Sequence, residues 1–151
     1  MIYFLFKFIH IAGAIIWIGS VFTLGILTHR VTKKEDHAGA AALAQQSELF
    51  GRAVIGPSAM LTLISGIVMV AVYGMGTPFW IIWGFFAALA SGILGGQFAQ
   101  KTGTKLAEEI KSEEINNSRL NSLQRRLAIL NSINMLLLFS AVWVMVFKTD
   151  F

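Results

Sequence analysis

The chain of 151 residues contains no cysteine. That excludes disulfides, thiolate metal centres and cysteine nucleophiles. Charge is also scarce. Asp, Glu, Lys and Arg make up 13% of the residues, about half the roughly 25% usual in a soluble domain. The charges gather in two blocks, residues 29–52 and 100–126, and the rest of the chain is almost bare of them. This pattern excludes a soluble globule, and the composition excludes a disordered, collagen-like or coiled-coil chain. No Walker or dinucleotide glycine pattern occurs. Every carboxylate lies outside the apolar stretches, so no Ser/His/Asp set is credible. No repeat of 20–50 residues and no low-complexity tract is present.

What the chain has is apolar length. Hydrophobic residues make up 56% of it, and the mean hydropathy is +0.69. A helix needs about 20 apolar residues to cross a bilayer. Four stretches qualify: residues 2–28, 54–73, 79–99 and 127–147. The first is long enough that it must tilt or extend into water. It is far longer than a signal-peptide apolar region and no basic segment leads it, so we read it as a retained span. Pro57 and Pro78 are expected to open the second and third spans, where a missing N–H costs little.

Charge asymmetry predicts the orientation. Arg30, Lys33, Lys34 and Arg52 lie between spans one and two. Lys101, Lys105, Lys111, Arg119, Arg125 and Arg126 lie between spans three and four. The turn at residues 74–78 is uncharged. The positive-inside rule then puts both basic segments in the cytoplasm and both termini outside. Tyr3, Tyr73, Phe79, Trp80, Trp143 and Phe147 would form the outer aromatic belt. The isoelectric point near 9.7 does not signal nucleic-acid binding. The bases are interleaved with Glu35, Asp36, Glu48, Glu108, Glu109, Glu113 and Glu114, as on a solvated helical face. Residues 38–50 and 104–126 are helix-prone and predict extensions of the membrane helices into water. The expected fold is all-α: a single integral membrane domain over residues 1–151, a transmembrane four-helix bundle with helical cytoplasmic extensions.

Small and polar residues mark where helices meet, because lipid offers no hydrophobic force between them. Gly84, Ala87, Ala88, Ser91, Gly92 and Gly95 recur along the third span, and Gly92 and Gly96 form a GxxxG. The second span carries Ser58, Thr62, Ser65, Gly66 and Met69 on one stripe. The fourth carries Asn131, Asn134, Met135, Leu138 and Met145.

One residue breaks the apolar pattern most sharply. His10 lies inside the first span, and an ionisable group there is a functional hypothesis by default. Lys7, Ala14, Trp17 and Val21 share or border its helical face, and Gly13 and Ala14 would leave room beside the ring. Neutral imidazole binds haem iron within membrane helix bundles. His10 is therefore a candidate ligand of haem b, with Lys7 placed to pair a propionate. The competing reading is a neutral His10 hydrogen-bonded to a neighbouring helix. No second His lies in a span, so a second axial ligand would be a partner chain's His10, water, or Met69 or Met145. His29 is roughly 28 Å away along a helix, too far to share the metal. His29 and His37 read as solvated groups in the charged loop.

The opening FKFIHIAGAIIWIGSVF, with Lys7, His10, Gly13, Trp17 and Gly19, resembles the first helix of small bacterial inner-membrane proteins related to CopD and HemJ. The segment FGRAVIGPSAMLTLISGIVMV resembles their second helix, with its Gly56-Pro57 entry and later Ser65-Gly66. The ending VWVMVFK resembles their Met-x-x-Lys terminus at Met145 and Lys148. Within that group the chain is similar to the four-helix branch described as predicted integral membrane proteins. The resemblance implies a bacterial inner-membrane location. For HemJ-like members it implies haem b and protoporphyrinogen oxidation, with the first-helix His, here His10, as ligand. The Lys that HemJ-like members carry in the third helix has no counterpart in residues 79–99. For CopD-like members it implies copper uptake, which would need more ligands than Met60, Met69, Met135 and Met145 supply. Three functions follow as expectations: a haem b protein with redox or electron-transfer work, an accessory or assembly subunit of a larger membrane complex, or a copper or small-solute permease. The lipid bilayer is the expected environment, and a homodimer is a plausible assembly.

Overall fold

The computed structural model describes residues 1–33, 37–112 and 116–148. Among the described residues, six α-helices appear in order: α1 (Ile2–Lys33), α2 (His37–Phe50), α3 (Gly56–Tyr73), α4 (Phe79–Ile93), α5 (Gln100–Lys111) and α6 (Asn117–Phe147). Two π-helical segments, Gly51–Ile55 and Leu94–Ala99, join α2 to α3 and α4 to α5. The chain is therefore four long helical rods. The apolar, bilayer-length parts of these rods are Ile2–Val31, Gln46–Tyr73, Phe79–Ile110 and Asn117–Phe147. The protein is a multi-pass integral membrane protein.

The rods are longer than the apolar stretches. Hydropathy marks only where hydrocarbon lies, whereas good helix formers continue past it. As expected, residues 104–126 extend two membrane rods, divided between α5 and the start of α6. Ser112 (φ −69°, ψ 146°) and Asn116 (φ −86°, ψ 96°) are extended, and α5 packs against α6. The Asn116 side chain accepts a hydrogen bond from the Arg119 backbone N–H at 3.1 Å. It satisfies one of the free N–H groups that every helix start leaves open. Residues 113–115 lie outside the described residues.

Pro57 differs from expectation. It does not start a span, because helix continues on its N-terminal side. Its missing N–H cannot bond the carbonyl four residues back. The π segment just before it shifts the ladder, and the Gly56 N–H bonds Gly51 O instead. Pro78 does open a helix, as the extended residue (ψ 156°) before α4. At the other end of that turn, Gly74 (φ 58°) closes α3 in the left-handed region where glycine carries no Cβ penalty.

The rods pair unevenly. α1 packs along α3, and α4 along α6, while α3 and α4 touch each other sparsely. Within the bilayer, most of the buried contacts among the described residues are small or polar, with Trp17 and Leu138 as large apolar exceptions. Ser58, Thr62 and Ser65 of α3 face α1, and Gly84, Ala87 and Ser91 of α4 lie in the bundle with Asn134 and Leu138 of α6. At the basic end, among the residues between the apolar stretches 79–99 and 127–147, the rule changes. Leu106, Leu120 and Leu127 form an apolar core with Ala99, Ile110 and Leu123 packed on it. In water that burial is worth about 1.5–3 kcal/mol for each leucine fully buried. In lipid the same leucines would gain almost nothing, which is why the two halves use different residues. Arg119 Nε closes the extension with an ion pair to Glu109 at 3.2 Å.

The lipid-facing surface is accordingly apolar. Phe4, Phe8, Ile15, Leu136 and Val146 are each more than two-thirds exposed from the protein. At one end the rings cluster. Tyr3 meets Tyr73 edge-on at 4.9 Å and Trp143 meets Phe147 at 4.4 Å. The Lys148 ammonium lies 6.0 Å from the Trp80 ring. Arg30, Arg52, Lys101, Arg125 and Arg126 belong to the opposite end. The fold thus has an aromatic end and a basic end, as the sequence pattern predicts.

Candidate functional site

His10 sits in α1 roughly 12 Å of helix rise from Ile2. Its ring meets α3, not lipid alone. Nδ1 lies 2.8 Å from the Thr62 carbonyl oxygen. A carbonyl can only accept, so Nδ1 carries the proton and donates it. The neutral tautomer is thereby fixed, and the lone pair is on Nε2. Among the described residues, Nε2 makes no hydrogen bond. Ser65 Oγ approaches Nδ1 to 3.4 Å but donates to the Leu61 carbonyl at 2.6 Å. Thr62 Oγ1 likewise turns back on its own helix, donating to Ser58 O at 2.8 Å. The α3 polar stripe therefore satisfies itself and offers His10 one backbone oxygen.

The small residues around His10 serve a different purpose from the one expected. Gly13 does not leave a void. A methyl there would come within 2.6 Å of Thr62 Oγ1 and 3.1 Å of Ser58 O. Gly66 does the same from the other helix, since a Cβ on it would meet the His10 ring at 3.1–3.2 Å. Both glycines let α1 and α3 close onto each other. The α1–α3 seam is full, so a flat macrocycle would have to lie elsewhere around the ring.

The other predicted residues scatter around this point. Lys7 is exposed, one turn from His10 toward the aromatic end. Ala14 is half-buried, and Trp17 is buried at 4% exposure. Met69 is half-buried on the α3 stripe, one turn beyond Ser65 and Gly66. Met145 is committed to packing: its methyl group occupies the notch left by Gly84 on α4. His29 is exposed near the basic end of α1, and His37 begins α2. Among the described residues, no three His, Asp or Glu side chains converge as a metal site.

A second polar seam joins α4 and α6. Trp83 Nε1 donates to Ser140 Oγ at 3.1 Å, and Ser140 in turn donates to Leu137 O at 2.7 Å. Deeper in, Ser91 Oγ and Asn134 Oδ1 are buried and, among the described residues, have no partner. Gly92 and Gly96 do not belong to this seam. Both are exposed, with nothing within 4 Å of where a Cβ would stand. The GxxxG faces out of the bundle.

Residues 4–149 match the family described as predicted integral membrane protein (DUF2269). The chain belongs to this family. The match covers both seams, His10 and the basic extensions. No curated protein matches the chain, and no solved structure does.

Proposed function

We propose that this family member is a bacterial inner-membrane protein that binds haem b through His10 and takes part in electron transfer, with both termini outside. The observation that supports it best is the Nδ1–Thr62 hydrogen bond. Histidines that ligate metals usually donate their other N–H to a carbonyl or carboxylate, which fixes the tautomer and orients the ring. His10 has that arrangement, and among the described residues Nε2 makes no hydrogen bond. The donor chemistry fits a haem iron; the packed α1–α3 seam does not accommodate the macrocycle.

Each residue then has a role. Thr62 O holds the imidazole upright. Lys7, exposed and one turn nearer the aromatic end, would supply a cation to the carboxylates of such a group. Ala14 and the buried Trp17 would shape the apolar surface next to the group, whereas Met69 lies one turn along the α3 side of the closed seam, where it would not share an iron with His10. Haem, when bound, supplies a one-electron couple whose potential responds to its ligands and burial. The test is an absorption spectrum of chain purified from cells supplied with haem. A Soret band that is lost in His10→Ala supports the proposal. No band, or one unchanged in His10→Ala, overturns it.

A second reading has its own support. The outward Gly92 and Gly96 present a bare strip on which another helix can pack closely. An accessory subunit of a larger membrane complex, or a homodimer, would use that strip. Crosslinking from Gly96→Cys in native membranes tests it, and capture of no partner would count against it.

A further inference from the structure

On α6, the buried residues Leu120, Leu127, Asn134 and Leu138 mark the side turned to the bundle. Helical phase places Asn121, Ser122, Arg125, Arg126, Ile129 and Leu130 around the opposite side. Together they form an open surface along this one helix. They form two adjacent rows of i,i+4 neighbours: Asn121, Arg125 and Ile129 in one, and Ser122, Arg126 and Leu130 in the other. Both rows run in the same chemical order, from neutral hydrogen-bonding group to guanidinium to aliphatic. Ile133 and Leu136, 47% and 73% exposed, continue the face toward the aromatic end.

Depth gives this order a meaning. Arg126 lies roughly 32 Å of helix rise before Phe147, and the hydrocarbon core is about 30 Å thick. With Phe147 at one boundary, the two guanidinium groups sit at headgroup level on the other. Ile129 and the residues after it are then in hydrocarbon. Among the described residues, the ion pairs are Arg52 with Glu48 and Arg119 with Glu109. Arg125 and Arg126 are in neither, so among the described residues no ion pair neutralises the positive charge at this spot.

We propose that this face of α6 is a binding site for one anionic phospholipid. Arg125 and Arg126 hold the phosphate, Asn121 and Ser122 hydrogen-bond the headgroup, and the acyl chains lie along Ile129, Ile133 and Leu136. Guanidinium suits a phosphate because its forked donors match two oxygens at once. A free phosphate would use only the polar half of the face. A second copy related by a twofold axis would set arginine pairs against each other, a like-charge contact that disfavours pairing.

The test is native mass spectrometry of the full chain in detergent, titrated with phosphatidylglycerol or with phosphatidylcholine of the same acyl chains. One phosphatidylglycerol is expected to stay bound per chain, in preference to phosphatidylcholine. Millimolar inorganic phosphate should not displace it. Removing both charges, in Arg125→Gln with Arg126→Gln, should weaken retention about 30-fold, taking the usual strength of a basic residue near a charged membrane surface. Lys105→Gln, which removes a charge farther along the basic end, should change it less than twofold. Equal retention of both lipids overturns the site, as does an unchanged double variant, displacement by phosphate, or a lipid-free dimer on this face. If the double variant does not fold, the choice between the two lipids by the natural chain decides the matter alone.

Discussion

Substituting Gly13 by alanine probes the α1–α3 seam at its tightest point. The new methyl would come within 2.6 Å of Thr62 Oγ1 and 3.1 Å of the Ser58 carbonyl oxygen. The hydroxyl cannot swing away freely, because it is held at 2.8 Å to Ser58 O. The carbonyl is backbone and moves only with the helix. Overpacking of this kind costs about 1–3 kcal/mol. Alanine also favours helix over glycine by up to about 1 kcal/mol, so a single variant would mix two effects. Gly19→Ala separates them. It has the same propensity change on the same helix, with nothing within 4 Å of its Cβ. The difference between the two variants is then the packing cost, expected at about 1–3 kcal/mol with Gly13→Ala the weaker. Equilibrium unfolding in mixed micelles by SDS, followed by tryptophan fluorescence, reads it; Trp17 is buried on the same helix. Adding Thr62→Ala to Gly13→Ala should recover part of the loss by removing the nearest atom. Equal stability of Gly13→Ala and Gly19→Ala would refute the close approach of α1 and α3.

Three further outcomes are expected. Ser140→Ala strands the Trp83 N–H that it now accepts at 3.1 Å and should cost about 0.6 kcal/mol, at most about 1.7; Ser91→Ala, which loses no hydrogen bond within the described chain, should be neutral or slightly stabilising in the same SDS titration. Leu120→Ala opens the small leucine core of the extension and should cost about 2–5 kcal/mol, seen as faster hydrogen exchange over residues 100–127 with the bilayer-buried helices still protected. Asn116→Ala removes the cap of α6 and should cost about 0.5–2 kcal/mol, with fraying confined to residues 117–120.

The four spans were legible because hydrocarbon imposes a coarse rule of length and composition that any apolar stretch of that size satisfies. The rods' true lengths were not, since helix continues wherever propensity permits. The break at Ser112–Asn116 was signalled only by cap-forming residues inside a Pro-free segment. Pro57 misled for a related reason. Its missing N–H reads as a helix start, but a π segment can absorb the same defect inside a helix. The stripes of small residues correctly marked the seams, yet Gly92 lies outside the seam that Gly84, Ala87 and Ser91 enter. Small phase differences decide this, and the π segment at Leu94–Ala99 shifts the phase nearby. His10 stood out as an ionisable group in oil, but its partner could not be read. Thr62 contributes a backbone carbonyl, which every residue has.

The ligand role of His10 is tested most directly by adding haem to the apoprotein with and without the side chain. The natural chain is expected to take up one haem, with the spectrum of a histidine-ligated iron. His10→Gly should take up little, and free imidazole should restore the spectrum by entering the space the side chain left. Equal uptake by both chains, or His10→Gly uptake unaffected by imidazole, would leave His10 as a residue that only fastens α1 to α3.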